Sequence, residues 1–232
     1  MLKNKLLLMF HVKQLLLIVF FLPSFVFCQH MGTTTLVIKE LPSLPEKEVT
    51  IERFMDQFPE AKGLNSMQRE WFYWTNYSRN SPRKFWDSVV SPLLKIYPNL
   101  RNAYSNSLKS DLYGAKTLPL LKPNSDLVKV AQKHANELRN KKALPSHTSP
   151  SGASFQDRMK SVGVKVCAGE NISFGSGSVP RMLTLLYIDE GVPGLGHRKS
   201  LLSSSYVEMG VGISAYPDDS YMVIQDFACD QK

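Results

Sequence analysis

The sequence lacks the short motifs that mark several common catalytic sites. It has no His-Glu-x-x-His pattern of a zinc protease, no nucleophile elbow of a serine hydrolase and no catalytic cysteine pattern. The Gly/Ser-rich stretch 173–180 has neither the Lys-Ser/Thr ending nor the strand-to-helix setting of a phosphate-binding loop. We therefore interpret this stretch as a flexible cavity rim, and no phosphate chemistry is predicted.

Dense runs of basic residues are also scarce. The chain has 28 Lys and Arg against 20 Asp and Glu, a formal net charge of +8, but the densest basic run is 139–142. A nucleic-acid-binding surface needs clustered basic residues. The composition therefore predicts a charged, soluble surface and no nucleic-acid partner, with weak attraction to anionic cell-surface polymers as an alternative.

The first 28 residues have the pattern of a secretory signal peptide. Three lysines accompany an apolar run, 15–27, which is shorter than the roughly 20 residues of a membrane span. The small residues Val26 and Cys28 predict cleavage before Gln29. An uncleaved anchor is the alternative, and the bulky Phe27 disfavours lipidation at Cys28. We expect a secreted protein, periplasmic or extracellular, that contacts the membrane only through its export signal.

Cleavage at this point removes 28 of 232 residues and three lysines. The mature chain would have 204 residues, with 25 basic and 20 acidic side chains and a net charge of +5. Its length suits one domain with an extension. We assign residues 29–64 to a linker or extension and residues 65–232 to the domain. Within the extension, a short docked helix is predicted by the helical spacing of Ile51, Phe54, Met55 and Phe58.

Only two of the three cysteines, Cys167 and Cys229, remain in the mature chain. An even pair in an oxidising compartment tends to be bridged. A bridge would join the loop around Glu170 to the last strand and stabilise the fold by about 3–5 kcal/mol. Two buried free thiols are the alternative.

Hydrophobic periodicity predicts helices followed by a terminal hairpin. Aromatic residues recur at helical spacing after Asn65 and indicate a core helix more than a ligand platform. Residues 207–215 alternate strictly between apolar and other side chains, and 221–228 return as a partner strand after a Pro-Asp-Asp-Ser turn. A further strand is predicted at 164–166. Helices combined with a terminal hairpin indicate an α+β fold.

Three short islands contain the candidate site residues: Ser146-His147, Gly169-Glu170-Asn171 and Gly196-His197-Arg198. Small and turn-forming neighbours leave the two imidazoles and the carboxylate accessible. His134 lies on the apolar stripe of a helix, so we interpret it as a hydrogen-bonded core residue. Asp189 ends another apolar stripe. It is either a helix-end carboxylate turned to water or a catalytic acid directed at the cavity of His197.

These islands, in this order and preceded by His134-Ala135, resemble the CAP superfamily of cysteine-rich secretory, antigen 5 and pathogenesis-related proteins. The resemblance covers about residues 65–229 and includes an Asn-x-x-Arg pattern at Asn76 to Arg79. The tail, 207–212 and 223–228, also resembles bacterial members. It implies a three-layer α-β-α sandwich and a cleft lined by two histidines and two glutamates. His147, Glu170 and His197 match three of these four. The second glutamate does not map securely, because this chain has Asp189 and Glu190 near His197 instead.

Three functions follow from this set. Two imidazoles and the Glu170 carboxylate would suit a divalent metal, with zinc as the candidate cofactor. Water activated by a metal or by Glu170, with Asp189 as a second candidate catalytic acid, would suit peptide or ester hydrolysis. The third is a binding module without catalysis for lipid, sterol or cell-wall material. A shared fold does not choose among them, and hydrogen bonding that only holds the loops together is a further alternative.

Overall fold

The computed structural model describes residues 43–231. The predicted signal peptide and the first part of the predicted extension lie outside these residues. Within them, helices pack on both faces of a four-stranded sheet. This is the α+β fold that the sequence patterns predict, in the three-layer arrangement that the family resemblance implies. No helix within residues 43–231 has the length and the apolar character that crossing a membrane requires.

Among the described residues, five α-helices precede the first strand, and two pairs of helices separate the strands that follow. The helices are α1 (Val49–Asp56), α2 (Ser66–Asn80), α3 (Pro82–Phe85), α4 (Ser91–Ile96), α5 (Ala103–Gly114), α6 (Ser125–Asn140), α7 (Phe155–Ser161), α8 (Val179–Ile188) and α9 (Gly196–Leu201). A π-helical turn, Trp86–Val90, joins α3 to α4, and 3-10 turns occupy Pro59–Gly63 and Pro98–Leu100. The strands are β1 (Lys122–Pro123), β2 (Ala168–Ser176), β3 (Glu208–Ala215) and β4 (Ser220–Ala228).

The sheet has the order β1-β3-β4-β2, with β1 parallel to β3 and the other pairs antiparallel. The predicted terminal hairpin is present as β3 and β4. The predicted strand at 164–166 is wrong, because β2 begins only at Ala168. It then continues to Ser176 through part of the Gly/Ser-rich stretch, since pairing with β4 uses main-chain groups rather than particular side chains.

Successive side chains of the sheet face two different cores, as the period of a strand requires. On β4, Met222 and Ile224 pack with α6. Val223 and Phe227 point the other way, into the larger core around α2 and α8. Both sheet faces are therefore covered by helices.

The aromatic residues of α2 form the centre of the larger core. Trp71, Trp74 and Tyr77 are at most 2% exposed. Tyr77 packs edge-on against Phe85 and Trp74, with ring centroids 6.4 Å and 5.4 Å away. These rings are core residues, as predicted.

The described part of the predicted extension packs onto the same core. The helix predicted there forms as α1, and its residues Ile51 and Met55 are buried within the larger core. The main-chain N–H of Glu48 also donates to the Tyr73 hydroxyl at 2.7 Å. Residues 43–64 therefore contribute buried surface to the fold.

The Asn-x-x-Arg pattern of α2 holds the chain that leads to β1. The side chain of Asn76 exchanges two hydrogen bonds with the main chain of Leu121. Arg79 is fully buried and donates to four main-chain carbonyls, those of Pro119, Leu201, Ser203 and Tyr206. Burial lowers the pKa of Arg79 from its usual value. Both side chains therefore have structural roles.

A disulfide joins Cys167 and Cys229, as predicted, with the two Cα atoms 5.5 Å apart. It extends the β2–β4 ladder, where the N–H of Cys229 donates to the carbonyl of Cys167 at 3.0 Å. Because the two cysteines are 62 positions apart in the sequence, the bridge should stabilise the fold by about 4 kcal/mol through the entropy of the unfolded chain.

Two glycines of β3 allow α6 to approach the sheet closely. A Cβ atom on Gly212 would lie 2.1 Å from the carbonyl carbon of Ala131, and one on Gly210 would lie 2.2 Å from that of Leu127. The obstacle in both cases is the helix backbone, which cannot move aside like a flexible side chain. Contact between α6 and β3 therefore requires glycine at these positions.

We predict that Gly212→Ala lowers the free energy of unfolding by about 2–3 kcal/mol, because the added methyl group forces α6 away from the sheet. Urea unfolding at neutral pH measures the effect. Gly114→Ala is the matched control. It lies at the end of α5 with open space around it, and should be neutral or stabilising by up to about 1 kcal/mol. Equal effects of the two substitutions would contradict the proposed packing constraint.

Candidate functional site

Glu170 lies near the start of the edge strand β2, opposite Asp226 of β4. Its side chain is 1% exposed, so the prediction that this carboxylate is accessible is wrong. One carboxylate oxygen accepts a hydrogen bond from His147 Nδ1 at 2.7 Å, and the other accepts one from the Arg158 guanidinium at 2.5 Å. The carboxylate thus joins a loop histidine to a buried arginine of α7.

The partners of Glu170 outweigh its burial. Burial by itself would raise the pKa of the Glu170 carboxyl. The hydrogen bond from His147 and the positive charge of Arg158 lower this pKa by more than burial raises it. The pKa of Glu170 therefore lies below its usual range, and the carboxyl is ionised at neutral pH.

Arg158 also holds the loop that carries His147. The nitrogen Nη1 donates to the carbonyls of His147 and Ala153 and to the Ser149 hydroxyl. Only 6% of the arginine side chain is exposed, whereas His147 is 38% exposed. His147 is therefore accessible to solvent, while the loop that carries it is held in place by Arg158.

His134 supports the same loop from α6. Its Nε2 donates to the carbonyl of Ser146 at 2.8 Å, and its Nδ1 accepts from the Ser149 hydroxyl at 3.1 Å. The ring is fully buried, and burial lowers the pKa of His134 below its usual value. This is the hydrogen-bonded core role that the apolar stripe of α6 predicts.

A second histidine–carboxylate pair lies between α8 and α9. Asp189 ends α8 in the left-handed conformation, with φ of 58°, and its side chain is fully buried. Its carboxylate accepts hydrogen bonds from His197 Nδ1 at 2.7 Å and from the main-chain N–H of Arg198 at 3.2 Å. Asp189 is therefore not turned to water; its carboxylate is directed at His197.

Arg198 anchors the second pair. Its buried guanidinium donates to the carbonyls of Tyr104, Tyr187 and Ile188 and to the side chains of Ser107 and Asp111. The Gly-His-Arg island thus contains one accessible residue, His197, whose side chain is 20% exposed, and one structural residue that fixes its position.

The structure distributes the predicted site residues over two pairs, His147–Glu170 and His197–Asp189. Glu170 belongs to the sheet face that α6 covers, whereas Asn171 points to the other face and donates to the His197 carbonyl at 3.3 Å. The two pairs therefore flank the edge strand β2. Among the described residues, no three or more His, Cys, Asp or Glu side chains form a group that could hold a metal ion. The tertiary structure thus supplies two imidazoles, each held by its own carboxylate.

A polar cavity of about 360 Å³ opens beside the first pair. It is lined by His147, Thr148, Ser154, Phe155, Gln156 and Glu170. This volume is near the lower limit for a small-molecule pocket, so it fits a small polar group better than a lipid chain.

Two neighbours of the His147–Glu170 pair were not predicted from the sequence, Arg158 and Asp226. Asp226 is fully buried, and burial followed by the charge of Glu170 raises its pKa well above the usual range. An acid at an inward position of an alternating strand was a usable signal for Asp226, since Met222 and Ile224 share its face. No comparable signal marks Arg158, which follows an ordinary capping box.

The model of the CAP family, described as the cysteine-rich secretory protein family, matches residues 71–227. This range covers more than half of the chain and includes every residue of the two histidine–carboxylate pairs. A search of curated proteins returned no match.

Several solved structures are similar to parts of the chain. An extracellular protein with an SCP domain from Bacillus anthracis is 27% identical over 49% of this chain and 35% of its own length, with a TM-score of 0.38. The chain thus corresponds to about a third of that protein. An outer surface protein from Borrelia burgdorferi is 19% identical over 55% of this chain and 90% of its own, with a TM-score of 0.42. The venom allergen-like protein 4 of Schistosoma mansoni is 13% identical over 73% and 92%, with a TM-score of 0.43.

We predict that Glu170→Gln lowers the free energy of unfolding at pH 7 by about 3 kcal/mol, because it leaves the buried Arg158 without its counter-charge. The pH dependence has a definite sign. The folded pKa of Glu170 is lowered, so its contribution is complete above the usual value of 4.5 and is lost as pH falls through the folded pKa. The difference between wild type and variant should therefore shrink towards acid pH.

Urea unfolding of both proteins between pH 7 and pH 3 tests this expectation. The exposed Glu60→Gln makes the same chemical change away from the site and should alter stability by less than about 0.5 kcal/mol. A Glu170→Gln variant as stable as this control at pH 7 would contradict a stabilising buried pair.

Proposed function

Because the chain belongs to the cysteine-rich secretory protein (CAP) family, we propose that it is an extracellular CAP-domain protein that binds a divalent transition metal through His147 and His197, with zinc as the first candidate. The observation that supports this proposal is common to both rings. Each imidazole is held through Nδ1, at 2.7 Å, by a carboxylate that is at most 1% exposed.

This arrangement fixes which nitrogen is available. A carboxylate that accepts from Nδ1–H holds the neutral imidazole in the tautomer whose Nε2 has a free lone pair. Neutral imidazole is a good zinc ligand, and metal-binding histidines usually donate their other N–H to a carboxylate or carbonyl. Within residues 43–231, neither Nε2 has a hydrogen-bond partner. The donor atoms therefore fit a metal, and Glu170 and Asp189 would orient its ligands.

Two imidazoles are fewer protein ligands than the three or four of most zinc sites. The remaining positions would be filled by water or by a group from a partner molecule. We therefore expect weak metal binding, with an open site suited to recognising an additional ligand. The extracellular location is supported by the Cys167–Cys229 disulfide, because such bridges persist in oxidising compartments.

Zinc titration by calorimetry tests this function on the protein from Gln29 onward. We predict binding with a dissociation constant on the order of micromolar, lost in the His147→Ala/His197→Ala double variant. If His147 and His197 share one ion, each single variant should lose binding. If each histidine binds its own ion, each single variant should bind half as many ions as wild type. His30→Ala, a histidine substitution in the predicted extension, is the control. Binding unchanged in the double variant would overturn the metal proposal.

A second candidate is hydrolysis of a peptide or an ester, and the Asp189–His197 pair favours it. A buried acid that orients an imidazole is the arrangement used for general-base activation of a nucleophile or of water. With such substrates, we predict that Glu170→Gln or His197→Ala reduces turnover by about 100-fold or more. Turnover that survives both changes would exclude this chemistry.

Lipid, sterol or cell-wall binding that survives the double histidine change would instead favour a binding module without catalysis.

A further inference from the structure

Asp226 is a buried acid that has no part in the metal binding or the hydrolysis proposed above. Its Cα partners are Glu170 on β2 and Gly210 on β3. Directly opposite residues of an antiparallel pair point to the same face, so the Asp226 and Glu170 side chains share the space beneath α6. Asp226 is 0% exposed, and the close approach of α6 at Gly210 closes this space from above.

The hydrogen bonds around Asp226 are incomplete. Neither of its oxygens has a hydrogen-bond partner of good geometry among residues 43–231. The side chain that approaches it as a hydrogen-bond partner is Glu170, and the other charged neighbour is Arg158. The Arg158 Nε is likewise buried without a partner, so Asp226 does not form the second ion pair that an ionised carboxylate would require.

The charges of the cluster favour a neutral Asp226. Arg158 contributes one positive charge, which Glu170 already balances at 2.5 Å, and burial lowers the pKa of the neighbouring His134, which favours its neutral form. A second carboxylate would be a buried charge without a counter-ion beside another anion, a costly arrangement. A carboxylic acid, in contrast, has a proton to donate, and each Glu170 oxygen can accept a second hydrogen bond.

We propose that Asp226 is a positioning residue that, as a neutral carboxylic acid, donates a hydrogen bond to Glu170 and thereby keeps that carboxylate oriented towards His147. The chain Asp226–Glu170–His147 then extends from the centre of the sheet to the accessible imidazole. The link from His147 to a metal rests on the proposed function, whereas the hydrogen-bonded chain itself does not.

The test compares Asp226→Asn with Asp226→Ala in metal-free protein, with chelator present, by NMR of the His147 imidazole. Asparagine is neutral and its amide can donate to Glu170, so the His147 Nδ1 proton should stay as protected from exchange as in wild type. Alanine cannot donate, so the Nδ1 proton should exchange faster. Asp219→Asn, at an exposed turn residue, controls for the net-charge change.

Two results would overturn the proposal. An ionised Asp226 could not donate to Glu170, so Asp226→Asn would then add a hydrogen bond and make the His147 Nδ1 proton exchange more slowly than in wild type. Equal Nδ1 proton exchange in Asp226→Ala and wild type would show that Asp226 does not position Glu170. If Asp226→Ala fails to fold, the comparison of Asp226→Asn with wild type still decides whether Asp226 is neutral.

Zinc affinity gives a separate measurement. We expect Asp226→Asn to bind like wild type and Asp226→Ala to bind about tenfold more weakly, as for loss of an outer-shell partner. Absence of zinc binding in all proteins would overturn the proposed function. The metal-free NMR result would still decide the role of Asp226.

Discussion

The candidate site depends on the buried ion pair between Arg158 and Glu170. This contact joins the short helix α7 to the edge strand β2, and through further bonds of Arg158 it also holds the loop from His147 to Ala153. A buried charge pair is stable only when its remaining hydrogen-bonding groups are satisfied. Most of them are satisfied here by loop carbonyls, so the loop conformation and the ion pair require each other.

A buried arginine also supports the second pair, on the other side of β2. Arg198 is surrounded by carbonyl and side-chain acceptors, and the residue before it presents the His197 imidazole to Asp189. Each accessible histidine therefore lies next to a buried arginine that fixes the local backbone. This design places rigid support beneath a partly exposed imidazole, which is what a preorganised binding site needs.

Local sequence patterns predicted the elements well where apolar side chains recur at regular spacing. The aromatic residues of α2, the apolar stripe of α6 and the alternating residues of β3 are of this kind, and all three elements form. The patterns failed where pairing alone decides the conformation. The strand β2 continues through residues rich in glycine and serine because it pairs with β4 along its whole length. The local sequence of β2 contains no signal for this pairing.

The sequence by itself determined the fold class, the family and the two cysteines of the disulfide, and it identified His147, Glu170 and His197 as candidate site residues because their short islands match motifs of the family. Only the tertiary structure decided which acid meets which histidine. It paired Glu170 with His147 and Asp189 with His197, and it added Arg158 and Asp226 to the first pair. Such partners are chosen by distance and by the cost of burying charge, and both depend on strand register and helix packing between segments far apart in the chain.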